Sequence, residues 1–354
     1  VDLLGVRSRT QVTPKVVAER GETLTAVGAF CIGTNQLALD DLARAGVAAF
    51  NAPFSNTRSV VELVISEIIA LARRLGDRNT QMHHGVWRKS AIGSHEVRGR
   101  TLGIVGYGNI GAQISVLAEA LGLSVMYYDV ADKLPMGNAH RCDSLEELLQ
   151  SVDVVTVHVD GRADNKLLFG EQEFSMMRPR SLFLNLSRGH VVDVAALADN
   201  LRTGHLAGAA VDVYPSEPRS GDEPFVSELQ SLDNVILTPH VGGSTQEAQI
   251  DIGRYVAGKL IDYSERASTS MSVNLPDITT GATPGARIGH LHLNMPGIMA
   301  DLNRLVADHG GNVTYQALAT RGELGYTVLD IDETDRELLV DVTRLEGTIR
   351  ARVL

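Results

Sequence analysis

The strongest constraint on the fold is the regular alternation of apolar runs with amphipathic stretches between residues 98 and 240. Apolar runs such as "TLGIVG" and "SLFLNL" alternate with helical patterns such as "NIGAQISVLAEALG". Strands that are apolar throughout are covered by helices on both faces, so this order predicts βαβ units and a parallel sheet. The sequence therefore predicts an α/β protein whose central domain is a Rossmann-type doubly wound parallel sheet.

Two further domains are predicted around this centre. The stretch 1–50 carries the weaker strand patterns "LLGVRSRT", "LTAVGAF" and "GVAAF", typical of a second, flavodoxin-like α/β unit. The linker "NLPDITTGATPGA" precedes a βαββαβ pattern at 287–354, the order of a ferredoxin-like domain. The elements before the central domain are too few for a complete domain, so we expect an N-terminal part to be missing. The predicted domains are residues 1–55 with 243–284, 56–242, and 285–354.

Composition limits the classes of partner. The net charge of −11 over 354 residues argues against a nucleic-acid or anionic-membrane surface. No apolar run reaches the roughly 18 residues of a membrane span. The two cysteines, Cys31 and Cys142, form no CxxC pair, so we expect a reducing, cytoplasmic compartment and no metal site.

A glycine-rich turn predicts a dinucleotide site. In "GYGNIG", Gly106, Gly108 and Gly111 follow a predicted strand and open a predicted helix. The glycines allow a tight turn, a close approach of the pyrophosphate and close helix packing, and the helix N-terminus stabilises phosphate charge. Asp129 ends the next strand, 18 residues past Gly111, where it accepts hydrogen bonds from ribose hydroxyls and repels a 2′-phosphate. The pattern favours NAD over NADP, and a glycine-rich turn beside a solvated aspartate is the alternative.

The segment 56–75, "NTRSVVELVISEIIALARRL", predicts one long helix. Its apolar residues cover more of the circumference than contact with one core requires. We expect this helix to form a subunit interface.

Three polar residues follow three late strands: Arg188, Glu217 and His240. The carboxyl ends of parallel strands face the ligand crevice, so the three side chains are expected to converge beside the nicotinamide. Hydride transfer from a hydroxy acid needs a base for the hydroxyl proton, and a histidine oriented by a glutamate suits that role. It also needs a cation for the carboxylate, which the planar guanidinium matches. Taken singly, each residue also fits an ordinary loop position.

At these residues the chain resembles the NAD-dependent D-2-hydroxyacid dehydrogenases. The motifs "RSRT", "FCIGTNQ", "FNAPFSNTRSVVELVISE", "GYGNIG", "NLSRGHVVD", "LAGAAVDVYPSEP" and "LTPHVGGSTQEAQ" carry the resemblance. It implies that Arg188, Glu217 and His240 are the catalytic residues. It also implies that the central domain binds NAD and the first domain binds substrate. The NAD-lining residues that it implies, besides the fingerprint glycines and Asp129, are Asn109, Ile110, Leu186, Ser187, Asp212, Gly242 and Gly243.

The branch of the family that the chain resembles most oxidises 3-phosphoglycerate to 3-phosphohydroxypyruvate in serine synthesis. The phosphate of that substrate needs additional cations, and the candidates for substrate binding are Arg7, Ser8, Arg9, Asn56 and Lys89. The last domain resembles an ACT domain, which implies feedback inhibition by L-serine bound at His292, Asn294 and Asn312. Met295 stands where relatives often carry a charged residue. Pairing of the central and the ACT domains would give a homotetramer.

Three alternatives stay open at this point. One is another dehydrogenase of the same family, such as a hydroxypyruvate or glyoxylate reductase, which needs neither "RSRT" nor an ACT domain. Another is an NAD-sensing regulatory protein on the same fold. In the third, the ACT domain serves assembly alone and binds no serine.

Overall fold

The computed structural model describes residues 2–218, 220, 222–282, 285–332 and 336–354. The chain forms two compact units, one made of residues 1–55 with 249–354 and one made of residues 56–248. The division into substrate-binding, NAD-binding and regulatory domains stays a prediction. Among the described residues, no helix combines the length and the apolar character that a membrane crossing requires.

The first 55 residues form a small parallel sheet. Its elements in chain order are β1 (Leu3–Val6), α1 (Pro14–Arg20), β2 (Ala26–Ala29), α2 (Leu39–Arg44) and β3 (Ala48–Phe50). The strand order is β1-β2-β3, with both pairs parallel. Every residue of β2 and β3 is buried, which explains why these strands read as continuous apolar runs.

The second unit contains a seven-stranded sheet whose paired strands are all parallel. Its strands are β4 (Thr101–Val105), β5 (Ser124–Tyr128), β6 (His140–Arg141), β7 (Val154–Val157), β8 (Ser181–Asn185), β9 (Leu206–Val211) and β10 (Val235–Leu237). Its helices are α3 (Thr57–Arg73), α4 (Leu75–His83), α5 (Asn109–Ala120), α6 (Leu145–Ser151), α7 (Glu171–Met176) and α8 (Val194–Arg202).

The strand order β10-β9-β8-β7-β4-β5-β6 is that of a doubly wound sheet. The chain runs outward from β4 in one direction and from β7 in the other, so the switch point lies between these two strands. One apolar core lies under α3 and α5, and a second lies under α6, α7 and α8. The Rossmann-type sheet predicted from the sequence is confirmed.

The predicted long helix at 56–75 is confirmed over Thr57–Arg73. α3 ends at Arg73 because Arg74 takes a left-handed backbone conformation (φ 54°), and the chain restarts as α4. Arg74 and Asp77 form an ion pair across this break. The break turns the following residues out of the apolar stripe of α3, and α4 buries none of its side chains.

The remainder of the first unit contains most of one long helix, an antiparallel sheet and two further helices. The elements are α9 (Gln246–Arg266), β11 (Ala286–Leu293), α10 (Ile298–Asp308), β12 (Val313–Arg321), β13 (Leu324–Ile331), α11 (Arg336–Arg344) and β14 (Thr348–Val353). The strand order β12-β13-β11-β14 gives the predicted βαββαβ fold. α10 and α11 cover one face of this sheet, and the other face shares an apolar core with α9 and β3.

Candidate active site

The glycine-rich turn lies at the switch point of the seven-stranded sheet. Gly106 has φ +93°, and a Cβ placed on it would lie 2.7 Å from the main-chain carbonyl of His158, which follows β7. Glycine is therefore required here for both the backbone conformation and the close approach. Gly108 precedes α5 and faces open space, since an added Cβ would have no heavy atom within 4 Å. A pyrophosphate can approach the backbone there, at the positive end of the helix.

Asp129 fixes the same turn. Its Oδ2 atom accepts a hydrogen bond from the backbone N–H of Tyr107 at 2.7 Å, and its Oδ1 atom accepts one from Ala131 at 2.8 Å. Each oxygen retains a lone pair for a ribose hydroxyl. The carboxylate thus orients the turn that follows β4 from the end of the adjacent strand β5.

The loop after β8 carries Arg188 and is shaped by a residue that the sequence analysis missed. The Oδ1 atom of Asn185 accepts hydrogen bonds from the backbone N–H and the hydroxyl of Ser187, at 3.1 and 2.9 Å. Its Nδ2 atom donates to the carbonyl of Arg188 at 3.1 Å. The signal was a polar residue at the end of the apolar run "SLFLNL", where Asn185 is 1% exposed.

Gly189 joins this loop to the one that follows β9. A Cβ on Gly189 would lie 2.0 Å from the carbonyl carbon of Tyr214, so any other residue would force the two segments apart. The Arg188 loop therefore packs directly against the segment that leads to Glu217.

Glu217 holds the ring of His240. The Nδ1 atom of His240 lies 2.9 and 3.0 Å from the two carboxylate oxygens of Glu217. A carboxylate only accepts hydrogen bonds, so Nδ1 carries the proton and Nε2 is the nitrogen able to accept one. His240 has φ 55°, a left-handed conformation that non-glycine residues seldom adopt.

Asp212 fixes the turn that presents His240. Its Oδ1 atom accepts hydrogen bonds from the Thr238 hydroxyl at 2.6 Å and from the Val241 N–H at 2.8 Å. Its Oδ2 atom accepts one from the Gly242 N–H at 2.8 Å. Asp212 is 1% exposed, so these three donors replace its hydration.

The other predicted NAD-lining residues occupy the same edge of this sheet. Asn109 and Ile110 begin α5, while Leu186 and Ser187 are buried after β8. Gly243 follows the His240 turn, close enough that a Cβ on it would lie 2.0 Å from the side-chain nitrogen of Asn56.

The predicted substrate residues are divided between the two units. Asn56 and Lys89 belong to the second unit, Asn56 directly before α3 and Lys89 exposed in the segment after α4. Arg7, Ser8 and Arg9 belong to the first unit and form an exposed turn after β1. Arg7 donates a hydrogen bond to the side-chain oxygen of Gln249 at 2.8 Å.

The predicted effector residues differ in their exposure. Asn294 and Asn312 are exposed, but His292 is 1% exposed in β11. The Nε2 atom of His292 lies 3.0 Å from the Thr327 hydroxyl, and its Nδ1 atom lies 2.8 Å from the Leu293 carbonyl. Burial lowers the pKa of His292, so the ring is neutral at physiological pH.

Comparison with known proteins agrees with this geometry. Residues 65–242 match the model of the D-isomer specific 2-hydroxyacid dehydrogenase NAD binding domain. Residues 288–350 match that of the AHAS small subunit-like ACT domain. Both matches lie where the structure has the doubly wound sheet and the βαββαβ sheet.

Two relatives align with almost the whole length of the chain. It is 49% identical to a D-3-phosphoglycerate dehydrogenase of Escherichia coli (strain K12) over 354 residues, which cover 99% of this chain and 86% of the relative. It is 47% identical to a protein of the same name from Dictyostelium discoideum, over 100% of this chain and 87% of that one. In structure it resembles D-2-hydroxyisocaproate dehydrogenase, with a TM-score of 0.73 and 24% identity over 77% of this chain and 86% of the other.

The nucleotide-binding sheet, the sequence identity and the family match agree with one another. The chain belongs to the D-isomer specific 2-hydroxyacid dehydrogenases and is an NAD-dependent oxidoreductase with a C-terminal ACT-like domain.

Proposed function

We propose that the chain oxidises 3-phosphoglycerate to 3-phosphohydroxypyruvate with NAD, the entry reaction of phosphorylated L-serine synthesis. The observation that carries the proposal is the contact between His240 Nδ1 and both oxygens of Glu217, on a turn fixed by Asp212. The names of the relatives in Escherichia coli and Dictyostelium discoideum support the choice of substrate.

His240 is the proposed base. Its Nε2 atom takes the proton of the substrate hydroxyl as the carbon–hydrogen bond breaks and the carbonyl forms. The imidazolium produced in this step is stabilised by the Glu217 carboxylate through Nδ1. In the reverse direction the same nitrogen returns the proton to the carbonyl oxygen.

Arg188 is the proposed anchor of the substrate carboxylate. It is half-buried after β8, and its Nη1 atom donates to the Ser187 carbonyl at 2.7 Å, which limits the rotation of the guanidinium. A guanidinium fork binds a carboxylate through two parallel hydrogen bonds and polarises the forming carbonyl. The residues proposed to bind the substrate phosphate are Arg7, Ser8, Arg9, Asn56 and Lys89.

The residues at the switch point fit NAD. The open space at Gly108, the first turn of α5 and the carboxylate of Asp129 match the pyrophosphate and the adenosine ribose. The leucine and serine before Arg188, with Asp212, Gly242 and Gly243, line the nicotinamide end. When bound, NAD supplies the hydride acceptor.

The decisive assay is the initial rate of NADH formation from 3-phosphoglycerate, with D-lactate and D-glycerate as unphosphorylated competitors. We expect His240→Asn to lower kcat by roughly 10²- to 10⁴-fold, the usual size of a general-base contribution. Arg188→Lys keeps the charge but loses the fork, so kcat/KM should fall by a comparable factor. Faster turnover of the unphosphorylated acids would reassign the substrate and retain the enzyme class.

Matched variants separate these roles from general damage to the fold. His140→Gln alters an exposed histidine in β6, and Arg202→Lys alters an exposed arginine at the end of α8. Both should retain the parent rate. NAD binding that persists without turnover of any hydroxy acid would favour a regulatory protein on this fold.

The ACT-like domain is proposed to bind L-serine as a feedback inhibitor. The match at residues 288–350 and the exposed side chains of Asn294 and Asn312 support this role. A side-chain amide offers both a donor for the carboxylate and an acceptor for the ammonium group of an amino acid. His292 contributes through the strand that it orders rather than as a charged group, because its ring is buried and neutral.

Calorimetry with L-serine on the full chain tests the effector site directly. Asn294→Ala and Asn312→Ala should weaken serine inhibition by at least tenfold and leave the uninhibited kcat unchanged. Serine that neither binds nor inhibits at millimolar concentration would restrict the domain to assembly.

The proposed homotetramer predicts a mass of four chains in light scattering, and a monomer would end that part of the proposal. A cytoplasmic location stays a prediction.

A further inference from the structure

A buried carboxyl group lies on α3, the helix whose Val60 packs against Gly242 of the His240 turn, and has no role in the reaction described above. Glu67 is on α3, on the apolar stripe formed by Val60, Val64 and Ile68, and is 3% exposed. Neither of its carboxyl oxygens has a hydrogen-bond partner among the residues that the structure describes. A glutamate in such a position destabilises the fold if it is charged, so its presence calls for a physical reason.

The charged neighbour of Glu67 is Asp212. Burial raises the pKa of Glu67 to about 8, and the negative charge of Asp212 contributes in the same direction. Tyr214 faces the same region, and burial, Asp212 and Glu67 all raise its pKa. The two acids therefore share one buried environment with a tyrosine that keeps its proton.

Other titratable groups are few on the elements packed against α3. β8, β9 and β10 carry none, and α5 carries Glu119 alone. α4 carries Asp77, Arg78 and His83. On α3 itself, Arg58 and Glu62 form an exposed ion pair at 2.6 Å, and Arg73 is exposed in the last turn. Asp212 is the group whose charge acts on Glu67.

The surroundings of the two carboxyl groups differ. Asp212 accepts three hydrogen bonds from the turn, and donors of this kind stabilise the ionised form. Glu67 has no donor from the described residues, so it is the member of the pair that keeps its proton. Two buried carboxylates repel each other, so ionisation of one disfavours ionisation of the second.

We propose that Glu67 is a positioning residue of the dehydrogenase, held neutral so that Asp212 alone carries the charge that fixes the His240 turn. Loss of the Glu67 proton places a second negative charge beside Asp212 and weakens its hold on the turn. This inference rests on the proposed role of the His240 turn in NAD and substrate binding. Under this proposal, the ionisation of Glu67, which takes no part in the chemical step, controls activity at alkaline pH.

The test compares wild type with Glu67→Gln, a neutral side chain of nearly the same shape. The measurements are kcat/KM and the dissociation constant of NADH, followed by its own fluorescence, between pH 6 and 10. For wild type we expect kcat/KM to fall, and NADH to bind more weakly, by up to tenfold per pH unit above about 8. In Glu67→Gln this alkaline limb should be absent, with values at pH 7 within about threefold of wild type.

Two more variants complete the design. Glu62→Gln removes an exposed carboxylate from the same helix and should keep the wild-type profile. Glu67→Leu also cannot ionise, so it too should lose the alkaline limb. An alkaline limb that persists in Glu67→Gln would overturn the proposal, as would a wild-type profile without such a limb. NADH binding is independent of the hydroxy acid, so the inference survives if 3-phosphoglycerate proves not to be the substrate.

Discussion

His240 and Glu217 form a bifurcated contact in which one ring nitrogen, Nδ1, is shared by both oxygens of the carboxylate at 2.9 and 3.0 Å. The contact fixes the tautomer of the imidazole and leaves Nε2 as a proton acceptor, as its proposed role of base requires. Glu217 Oε1 also accepts the Tyr214 N–H at 3.2 Å, so the carboxylate is itself held in place.

Replacing Glu217 with glutamine should therefore impair the reaction more than cofactor binding. Glu217→Gln removes the charge that stabilises the imidazolium and permits the opposite tautomer. We expect kcat to fall roughly 10- to 1,000-fold, with little change in the dissociation constant of NADH. Steady-state kinetics with Glu228→Gln as the exposed control checks this. An unaffected kcat would remove Glu217 from the proposed machinery.

Asp212 should contribute to stability as well as to the site. Asp212→Asn replaces an acceptor of three hydrogen bonds with a group that turns an N–H donor toward other donors. We expect the free energy of unfolding to fall by about 2–4 kcal/mol in urea titrations. Thr238→Val removes one of the three bonds and should lower it by about 1 kcal/mol. Equal losses for the two variants would contradict the central position of Asp212.

The buried acid Glu67 predicts a stability that declines with rising pH. The folded protein keeps the Glu67 proton up to about pH 8, whereas the unfolded chain releases it near the ordinary value of 4.5. The unfolded state therefore binds fewer protons in this window, and stability falls by up to about 1.4 kcal/mol per pH unit. Chemical denaturation of wild type and Glu67→Gln should show a gap that widens from pH 4.5 to 8 and stays constant above it. A constant gap would show that Glu67 is ionised throughout.

His290 predicts the opposite trend at acid pH. It is fully buried in β11, with Nε2 at 2.8 Å from the Thr348 hydroxyl, and burial lowers its pKa to about 3, with His292 as a smaller cause. The unfolded chain takes up a proton near pH 6.5 and the folded protein does not, so stability is lost as pH falls from 6.5 toward 3. His290→Gln should flatten part of this loss in thermal unfolding, and His140→Gln should leave it unchanged.

Arg350 ties the last strand to the first sheet within one unit. Its guanidinium donates hydrogen bonds to four backbone carbonyls, those of Gly21 and Leu24 at 2.5 Å, Glu22 at 3.1 Å and Gly46 at 3.2 Å. Arg350→Met keeps much of the apolar stem and leaves these carbonyls without a donor, so the free energy of unfolding should fall by about 2–4 kcal/mol. Arg344→Met, at an exposed arginine of α11, is the control. No difference between the variants would mean that water replaces the arginine.

Periodicity and turn chemistry were enough to predict much of the fold. The patterns of apolar strands and amphipathic helices at 98–240 predicted the doubly wound sheet, because both patterns are local in the chain. The break at Arg74 was not predicted. A single residue in a left-handed conformation separates α3 from α4, and the sequence pattern does not change there. α9 was not predicted, although it lies wholly within the predicted segment 243–284 and its apolar face packs against the small sheet.

By itself, the sequence determined the parallel nucleotide-binding sheet and the ferredoxin-like C-terminal fold, because strand patterns and glycine turns are local in the chain. It also made Arg188, Glu217 and His240 the candidates for catalysis, since each follows a predicted strand. Only the tertiary structure decided which polar groups meet. The role of Asp212 as the shared acceptor of the His240 turn depends on atoms 26 to 30 residues apart in sequence. The burial of Glu67 depends on the packing of α3 against the core of the sheet. Such contacts form when strands distant in sequence end at one edge of a sheet, and no local pattern encodes them.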